Sequence, residues 1–189
     1  YEIVFQNMSI WKSYLNTLIY VVGGTALGIT MTSLGAYTLS RKYFLPAGTL
    51  MLLISFTMLF NGGLIPNYIL IQKLGLLDSR LALILPTAIS VFNLVILRTS
   101  FLGIPDSLEE SAKLDGANDM QIFLRIVLPL SKASLAVIIL FIAVMHWNSW
   151  FSASLYLTSR SKYPLQIILR EILVDGSTNM TSAGANASI

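Results

Sequence analysis

The segment Ile104–Leu130 reads IPDSLEESAKLDGANDMQIFLRIVLPL and holds five of the nine acidic residues of this 189-residue chain. Ser107-Leu-Glu-Glu110 fits a capping box, in which the Ser oxygen accepts a backbone N–H three residues on, so a helix is expected to begin there. Gly116 supplies a stop, because glycine readily takes the left-handed conformation that closes a helix. Asn118 or Asp119 can cap a second helix. The segment is therefore predicted to form a helix, a glycine turn and another helix.

The sequence around this segment is apolar. Hydrophobic residues make up 55% of the chain and charged residues 11%, whereas an average soluble domain carries about 25% charged residues. A helix needs about 20 mostly apolar residues to cross a membrane. We expect an all-α, polytopic membrane helical bundle with about four transmembrane helices. The predicted spans are Ser13–Ser40, Ala47–Phe60, Arg80–Phe101 and Lys132–Leu157, with a short interfacial helix over Pro66–Lys73.

Several features within the spans bear on packing and on a path for a substrate. Gly24 and Gly28 form a G-x-x-x-G pair, which favours close packing of helices within the chain over a dedicated subunit contact. Pro86 either kinks the third span or marks its first turn. Polar and aromatic residues at the break and inside the spans are candidates for the substrate path, although turns, caps, membrane boundaries and helix-to-helix hydrogen bonds are the commoner explanation for such residues. These candidates are Asn61, Asn93, His146, Trp147 and Asn148.

Composition argues against several classes of function. The chain has no Cys and one His, so neither a thiolate metal site nor a metal site built on His is predicted. A formal charge of +3 is small and scattered, which argues against nucleic-acid binding. The spans contain no paired carboxylates and no nucleophile beside a base, so we predict no catalytic residue and no enzyme activity.

The residues alone leave the role of Ile104–Leu130 open between an amphipathic connector on the membrane surface and an element that docks on another protein. However, Glu110-Ser-Ala-Lys-Leu-Asp-Gly-Ala117, followed by Ile126-Val-Leu-Pro129, resembles the EAA motif of binding-protein-dependent ABC importer permeases. The order of spans, the Asn61-Gly-Gly-Leu-Ile-Pro66 break and His146-Trp-Asn148 resemble the carbohydrate branch of that family, with oligosaccharide permeases of the LplC type. Ser111 departs from the motif, where Ala is usual, but keeps the small size.

The resemblance implies a MetI-like permease subunit whose residues 104–130 form a cytoplasmic coupling loop. The loop would dock on separate ABC ATPase subunits, which bind ATP and Mg; this chain would bind no cofactor, because it has no phosphate-binding G-x-x-x-x-G-K-[ST] loop. Other implied partners are a second permease subunit, identical or not, an extracytoplasmic solute-binding protein and membrane lipid. The implied coupling residues are Glu110, Ala112, Asp115, Gly116, Ala117, Met120, Phe123, Ile126, Leu128 and Pro129.

The expected location is a bacterial cytoplasmic (plasma) membrane, and the expected cargo is a sugar or oligosaccharide. Residues 1–189 are interpreted as a single permease domain without the first and last spans of the family. Lys and Arg are equally frequent on the two sides of the predicted spans, so the positive-inside rule does not orient them, although Arg41 and Lys42 favour a cytoplasmic coupling loop. The alternatives are an ion-coupled secondary transporter, which the lack of ionisable residues inside the spans disfavours, and a non-transporting membrane scaffold.

Overall fold

The computed structural model describes residues 8–41, 43, 46–60 and 62–174, and these residues contain helices and no strand. The helices are α1 (Met8–Ser40), α2 (Ala47–Thr57), α3 (Leu64–Lys73), α4 (Leu81–Ile84), α5 (Val91–Leu102), α6 (Asp106–Leu114), α7 (Asp119–Ile122), α8 (Leu128–Leu130), α9 (Lys132–Trp147), α10 (Trp150–Tyr156) and α11 (165–174). Short 3₁₀ turns cover Leu85–Thr87 and Arg160–Lys162, and a π-helical turn covers Phe123–Val127.

Helix α1 is the centre of the fold, and both α5 and α9 pack along it. Its 33 residues contain no Pro, and a helix of that length extends about 50 Å. The predicted first span, Ser13–Ser40, is thus one uninterrupted helix that begins earlier than expected. Its two ends therefore lie far apart, and each end supports a different group of residues.

Close packing between α1 and α9 depends on the two glycines of the G-x-x-x-G pair. A Cβ on Gly24 would overlap the imidazole of His146, and one on Gly28 would lie 3.3 Å from the Ile142 side chain. Only a residue without a side chain fits between these helices at Gly24. The prediction that the pair serves packing within the chain is confirmed.

Two of the predicted spans are bent rather than continuous. Between α4 and α5 the chain turns by 50°, because Pro86 lies in the 3₁₀ turn and Ser90 then caps a new helix. The predicted Lys132–Leu157 helix ends at Trp147, where the backbone N–H and the side-chain amide of Asn148 both donate to the Val144 carbonyl. Pro86 therefore marks a bend, and the fourth predicted span is two helices.

The predicted second span is also shorter than expected. Helix α2 has 11 residues, about 16 Å of helix, and α3 begins at Leu64, before Pro66. By length and composition, α1 alone qualifies as a membrane-crossing helix among the described residues. Up to three spans result if each bent pair, α4 with α5 and Asp119–Leu130 with α9, is one span. The expected number of about four spans is thus higher than the number found.

Candidate functional site: a helical hairpin on the end of the central helix

Helices α6 and α7 and the turn between them, Asp106–Ile122, form what we call the hairpin. Helix α6 begins directly after Pro105, and Asp106 and Glu109 lie in its first turn, where carboxylates complement the helix dipole. No side chain caps this helix. The predicted capping box at Ser107 is therefore wrong, because the fixed φ of Pro105 starts the helix before Ser107 and places that residue inside the first turn.

The turn of the hairpin matches the sequence prediction closely. Gly116 has φ of +83° and no atom within 4 Å of the position of a Cβ, so glycine is favoured there by backbone conformation and not by lack of space. Asn118 then caps α7. Its side chain accepts the Gln121 N–H at 2.9 Å while Gln121 Oε1 accepts the Asn118 N–H at 2.9 Å, which is a complete capping box.

A buried ion pair attaches α6 to the end of α1. Arg41 pairs with Glu109, and both residues are less than a tenth exposed. The Arg41 guanidinium also lies 4.6 Å from the centre of the Tyr37 ring and donates to Ser40 Oγ at 3.0 Å. Burial lowers the pKa of Arg41, so the nearby carboxylate is needed to offset the cost of removing this cation from water.

An apolar cluster holds the second half of the hairpin on the same end of α1. Ile122, Phe123 and Val127 are buried with Tyr37 and Phe101. The Tyr37 hydroxyl donates to the Asp119 carbonyl at 3.2 Å, and the Tyr37 and Phe123 rings are 4.9 Å apart. Phe123, a predicted coupling residue, is 4% exposed, so it supports the hairpin from inside and any contribution to docking is indirect.

The outer surface of the hairpin carries apolar side chains beside charged ones. Leu114 is 89% exposed and Met120 55% exposed. Met120 is a predicted coupling residue, whereas Leu114 was not among those predicted. The remaining predicted residues divide between this surface and its support. Exposed are Glu110, Asp115, Gly116 and Pro129, and partly buried against the apolar cluster are Ala112, Ala117, Ile126 and Leu128. The hairpin thus combines exposed apolar side chains with charged ones on an element that is anchored to α1.

The described candidate substrate-path residues are not all exposed. His146 is 2% exposed, and its Nε2 has no hydrogen-bond partner within the described residues. Asn93 is buried on α5, and Trp147, 39% exposed, meets the Tyr14 ring edge to face at 6.5 Å. Asn148 is exposed on the helix end. Asn61 lies outside the described residues.

The opposite end of α1 carries a second polar network, centred on Asp78. The Asp78 carboxylate accepts the Thr158 and Ser159 N–H groups, the Ser159 hydroxyl and the Lys162 ammonium, the last at 2.8 Å. The hydrogen bond from Lys162 is the main reason, and the bonds from Ser159 the second, why the pKa of the Asp78 carboxyl lies well below its usual range. We call these residues, with Asp78, the Asp78 cluster; it joins the loop before α4 to the loop after α10.

Side chains of α1 extend this network. Asn16 Nδ2 donates to the Ser161 carbonyl at 2.8 Å, and its oxygen accepts from Arg80 at 3.0 Å. The Tyr20 hydroxyl donates to the Lys162 carbonyl at 2.7 Å. Both loops are therefore fastened to α1, and the two ends of this helix carry separate polar structures.

Some of these residues were not assigned a role from the sequence. Arg41 directly follows the predicted first span and Glu109 lies within the predicted capping-box segment, yet their pairing joins segments 68 positions apart in the sequence. The combination of a cation that directly follows a span with an acidic first turn in the next charged loop was the available signal. Among the described residues no group of three potential metal ligands comes together.

The fold defines a helical membrane protein with a charged, anchored helical hairpin between its apolar helices. The chain belongs to the family of binding-protein-dependent transport system inner membrane components, whose model matches residues 24–185. The sequence-based recognition of the EAA motif and of the MetI-like helical fold is confirmed.

Two known proteins are similar to this chain over most of its length. It is 50% identical over 177 residues to the polygalacturonan/rhamnogalacturonan transport system permease protein YtcP of Bacillus subtilis, covering 94% of this chain and 62% of YtcP. It is 42% identical to the protein LplC of the same organism, over 92% of this chain and 59% of LplC. The chain thus spans about three fifths of the length of these relatives.

A solved structure is also similar. The crystal structure of a bacterial ABC transporter involved in the import of the acidic polysaccharide alginate superposes with a TM-score of 0.89 at 38% identity, covering 96% of this chain and 65% of the other. The helical arrangement described above is thus one that occurs in an ABC importer.

Proposed function

We propose that this chain is the permease part of an ABC importer for a sugar or oligosaccharide in a bacterial cytoplasmic membrane. The hairpin would lie in the cytoplasm and dock on separate ATPase subunits, which bind ATP and Mg and split the nucleotide. A second permease subunit and an extracytoplasmic solute-binding protein would complete the assembly. Family membership supports a role in transport, and the name of the relative YtcP supports a sugar as the cargo. The chain itself would not be an enzyme.

One observation carries the docking role: the exposure of Leu114. An apolar side chain that is 89% exposed beside a glycine turn gains free energy if a partner covers it, about 25 cal/mol for each Å² of apolar surface buried. Its support is rigid, because Arg41 pairs with Glu109 on one side and Phe123 is buried on the other. Movement of a bound partner would therefore reach α1 directly.

Alternating access follows from this arrangement. A nucleotide can shift the balance of two conformations only through contacts that differ between them. The hairpin would supply such contacts, since closure of the ATPase pair would displace it together with the end of α1. No ionisable pair within the described spans is required for energy input in this scheme.

Co-purification of the full-length permease with its ATPase tests the proposal. Leu114→Ser removes exposed apolar surface from the hairpin and is expected to lower both recovery of the ATPase and ATP-driven uptake in proteoliposomes. Leu59→Ser is the matched control, because Leu59 is 80% exposed but lies after α2, away from the hairpin. Equal ATPase recovery in the two variants would contradict docking, and uptake driven by an ion gradient without ATP would contradict the ABC assignment.

A further inference from the structure

The end of the molecule that carries the Asp78 cluster is rich in cations. Its basic side chains are Lys12, Lys73, Arg80, Arg160, Lys162 and Arg170, whereas its carboxylates in the described residues are Asp78 and Glu171. In the proposed orientation this end faces the outside of the cell, where Lys and Arg are usually less frequent than on the cytoplasmic side. A surface of one sign of charge raises the local concentration of ligands of the opposite sign. The excess thus favours an anionic ligand.

A cavity of about 330 Å³ opens on this end between α10 and α11. Such a volume is at the lower end of the usual range for small-molecule sites, about 300–1,000 Å³. Trp150, Tyr163, Arg170 and Glu171 supply its aromatic and charged walls. The two helices are fixed together, because Ala153 of α10 and Ile167 of α11 are buried in one apolar cluster with Tyr20 of α1.

Arg170 is held in position but carries no counter-charge in the described residues. Its guanidinium lies 4.1 Å from the centre of the Trp150 ring, a geometry that orders the side chain without neutralising it. The adjacent carboxylate, Glu171, pairs instead with Arg160 at 2.9 Å. The guanidinium is therefore ordered, charged and directed to a cavity, and its N–H groups suit a carboxylate held by two parallel hydrogen bonds.

We propose that this cavity binds a hexuronate residue of an acidic oligosaccharide. The sugar carboxylate would accept two hydrogen bonds from Arg170, the Tyr163 ring would flank the apolar face of the sugar, and the Glu171 carboxylate would accept from ring hydroxyls. Arg160 keeps Glu171 from competing for Arg170. This inference rests on the proposed function, since it names the chemical class of sugar that reaches the outward end of the permease.

Binding to the purified full-length transporter, without its solute-binding protein, tests the site. The probes are trigalacturonate and its neutral counterpart galactotriose, titrated by calorimetry. We expect preferential binding of trigalacturonate, weakened about 10- to 100-fold by Arg170→Gln, the range of one hydrogen-bonded charge pair. Arg170→Lys keeps the charge but loses the two parallel hydrogen bonds, so it should weaken binding less. Lys12→Gln, the matched control, removes one cation of the same end outside the cavity and should have little effect.

Three outcomes would overturn the proposal: no preference for trigalacturonate over galactotriose, no saturable binding of trigalacturonate, or equal weakening by Lys12→Gln and Arg170→Gln. The last result would indicate attraction by overall charge and no site. ATP-driven uptake is measured separately in the same preparation. Loss of uptake of every sugar while Arg170-dependent binding persists would contradict the proposed function and leave the binding site standing.

Discussion

The two ends of α1 are fastened in opposite ways. At the hairpin end, one buried ion pair and an apolar cluster hold two short helices whose outer side is exposed. At the other end, many hydrogen bonds converge on Asp78, whose side chain is 28% exposed. Removing one partner of a buried ion pair is costly, because the other charge stays buried without a counter-charge. Ion pairs in contact with solvent each contribute little. The first design concentrates stability in one contact, and the second distributes it over several.

The largest expected effect follows from removing one charge at the hairpin end. Glu109→Gln leaves Arg41 buried without a counter-charge and should destabilise the fold by about 3–5 kcal/mol. Arg160→Gln, which breaks the exposed pair with Glu171, should cost less than about 1 kcal/mol. Thermal unfolding of the purified variants measures both costs. Similar costs would remove the contrast between the ends.

The middle of α1 provides a second measure of tight packing. Gly24→Ala forces a Cβ into the His146 imidazole and should cost about 1–3 kcal/mol, partly recovered when His146→Ala is added. Gly23→Ala is the matched control, because its Cβ would make an ordinary contact at 3.6 Å with Ile84. That variant should be neutral or gain up to about 1 kcal/mol from helix propensity. A stable Gly24→Ala protein would contradict the close approach of α1 and α9.

Gly116 and Gly75 allow the two ends of α1 to be compared with substitutions that cause the same backbone strain. Gly116→Val and Gly75→Val both place a β-branched residue at positive φ in open space, at a cost of about 1–2 kcal/mol each. We expect Gly116→Val alone to uncouple ATP hydrolysis from uptake, because only that turn lies in the hairpin. The ratio of sugar transported to ATP hydrolysed measures coupling. Normal uptake by Gly116→Val, or equal uncoupling in both variants, would count against the coupling role.

The smallest expected effect is a pH dependence at the Asp78 end. Since the folded-state pKa of Asp78 is lowered, its stabilising contribution is complete above the ordinary Asp pKa, about 3.9. It declines as the pH falls below that value and is lost once the pH passes the folded-state pKa. As the pH is lowered from 7, the midpoint temperature of thermal unfolding should therefore fall less steeply in Asp78→Asn than in the unsubstituted protein. An unchanged pH profile in that variant would show that this carboxylate does not stabilise the fold.

The sequence predicted features that depend on local chemistry. The glycine turn at Gly116 and the cap at Asn118 follow from backbone preferences of single residues, and the packing of Gly24 from a short motif. Helix continuity is not predicted by hydropathy, since the break before Val91 depends on Pro86 and on the cap at Ser90, and the break at Asn148 falls within an apolar stretch. Pairings across the fold, such as Arg41 with Glu109 or Asp78 with Lys162, are set by tertiary structure and are not encoded in any one stretch.

The overlap that a side chain at Gly24 would make with His146 limits how this protein can change shape. A lengthwise slip of α9 past α1 by one helical turn, about 5.4 Å, would place Tyr20 opposite the imidazole in one direction and Thr32 opposite Ile142 in the other, where glycines lie now. Helices α1 and α9 are therefore expected to move together as one rigid body. In the proposed importer, opening and closing of a passage would then take place at the borders of that body, where it meets neighbouring helices or a second permease subunit.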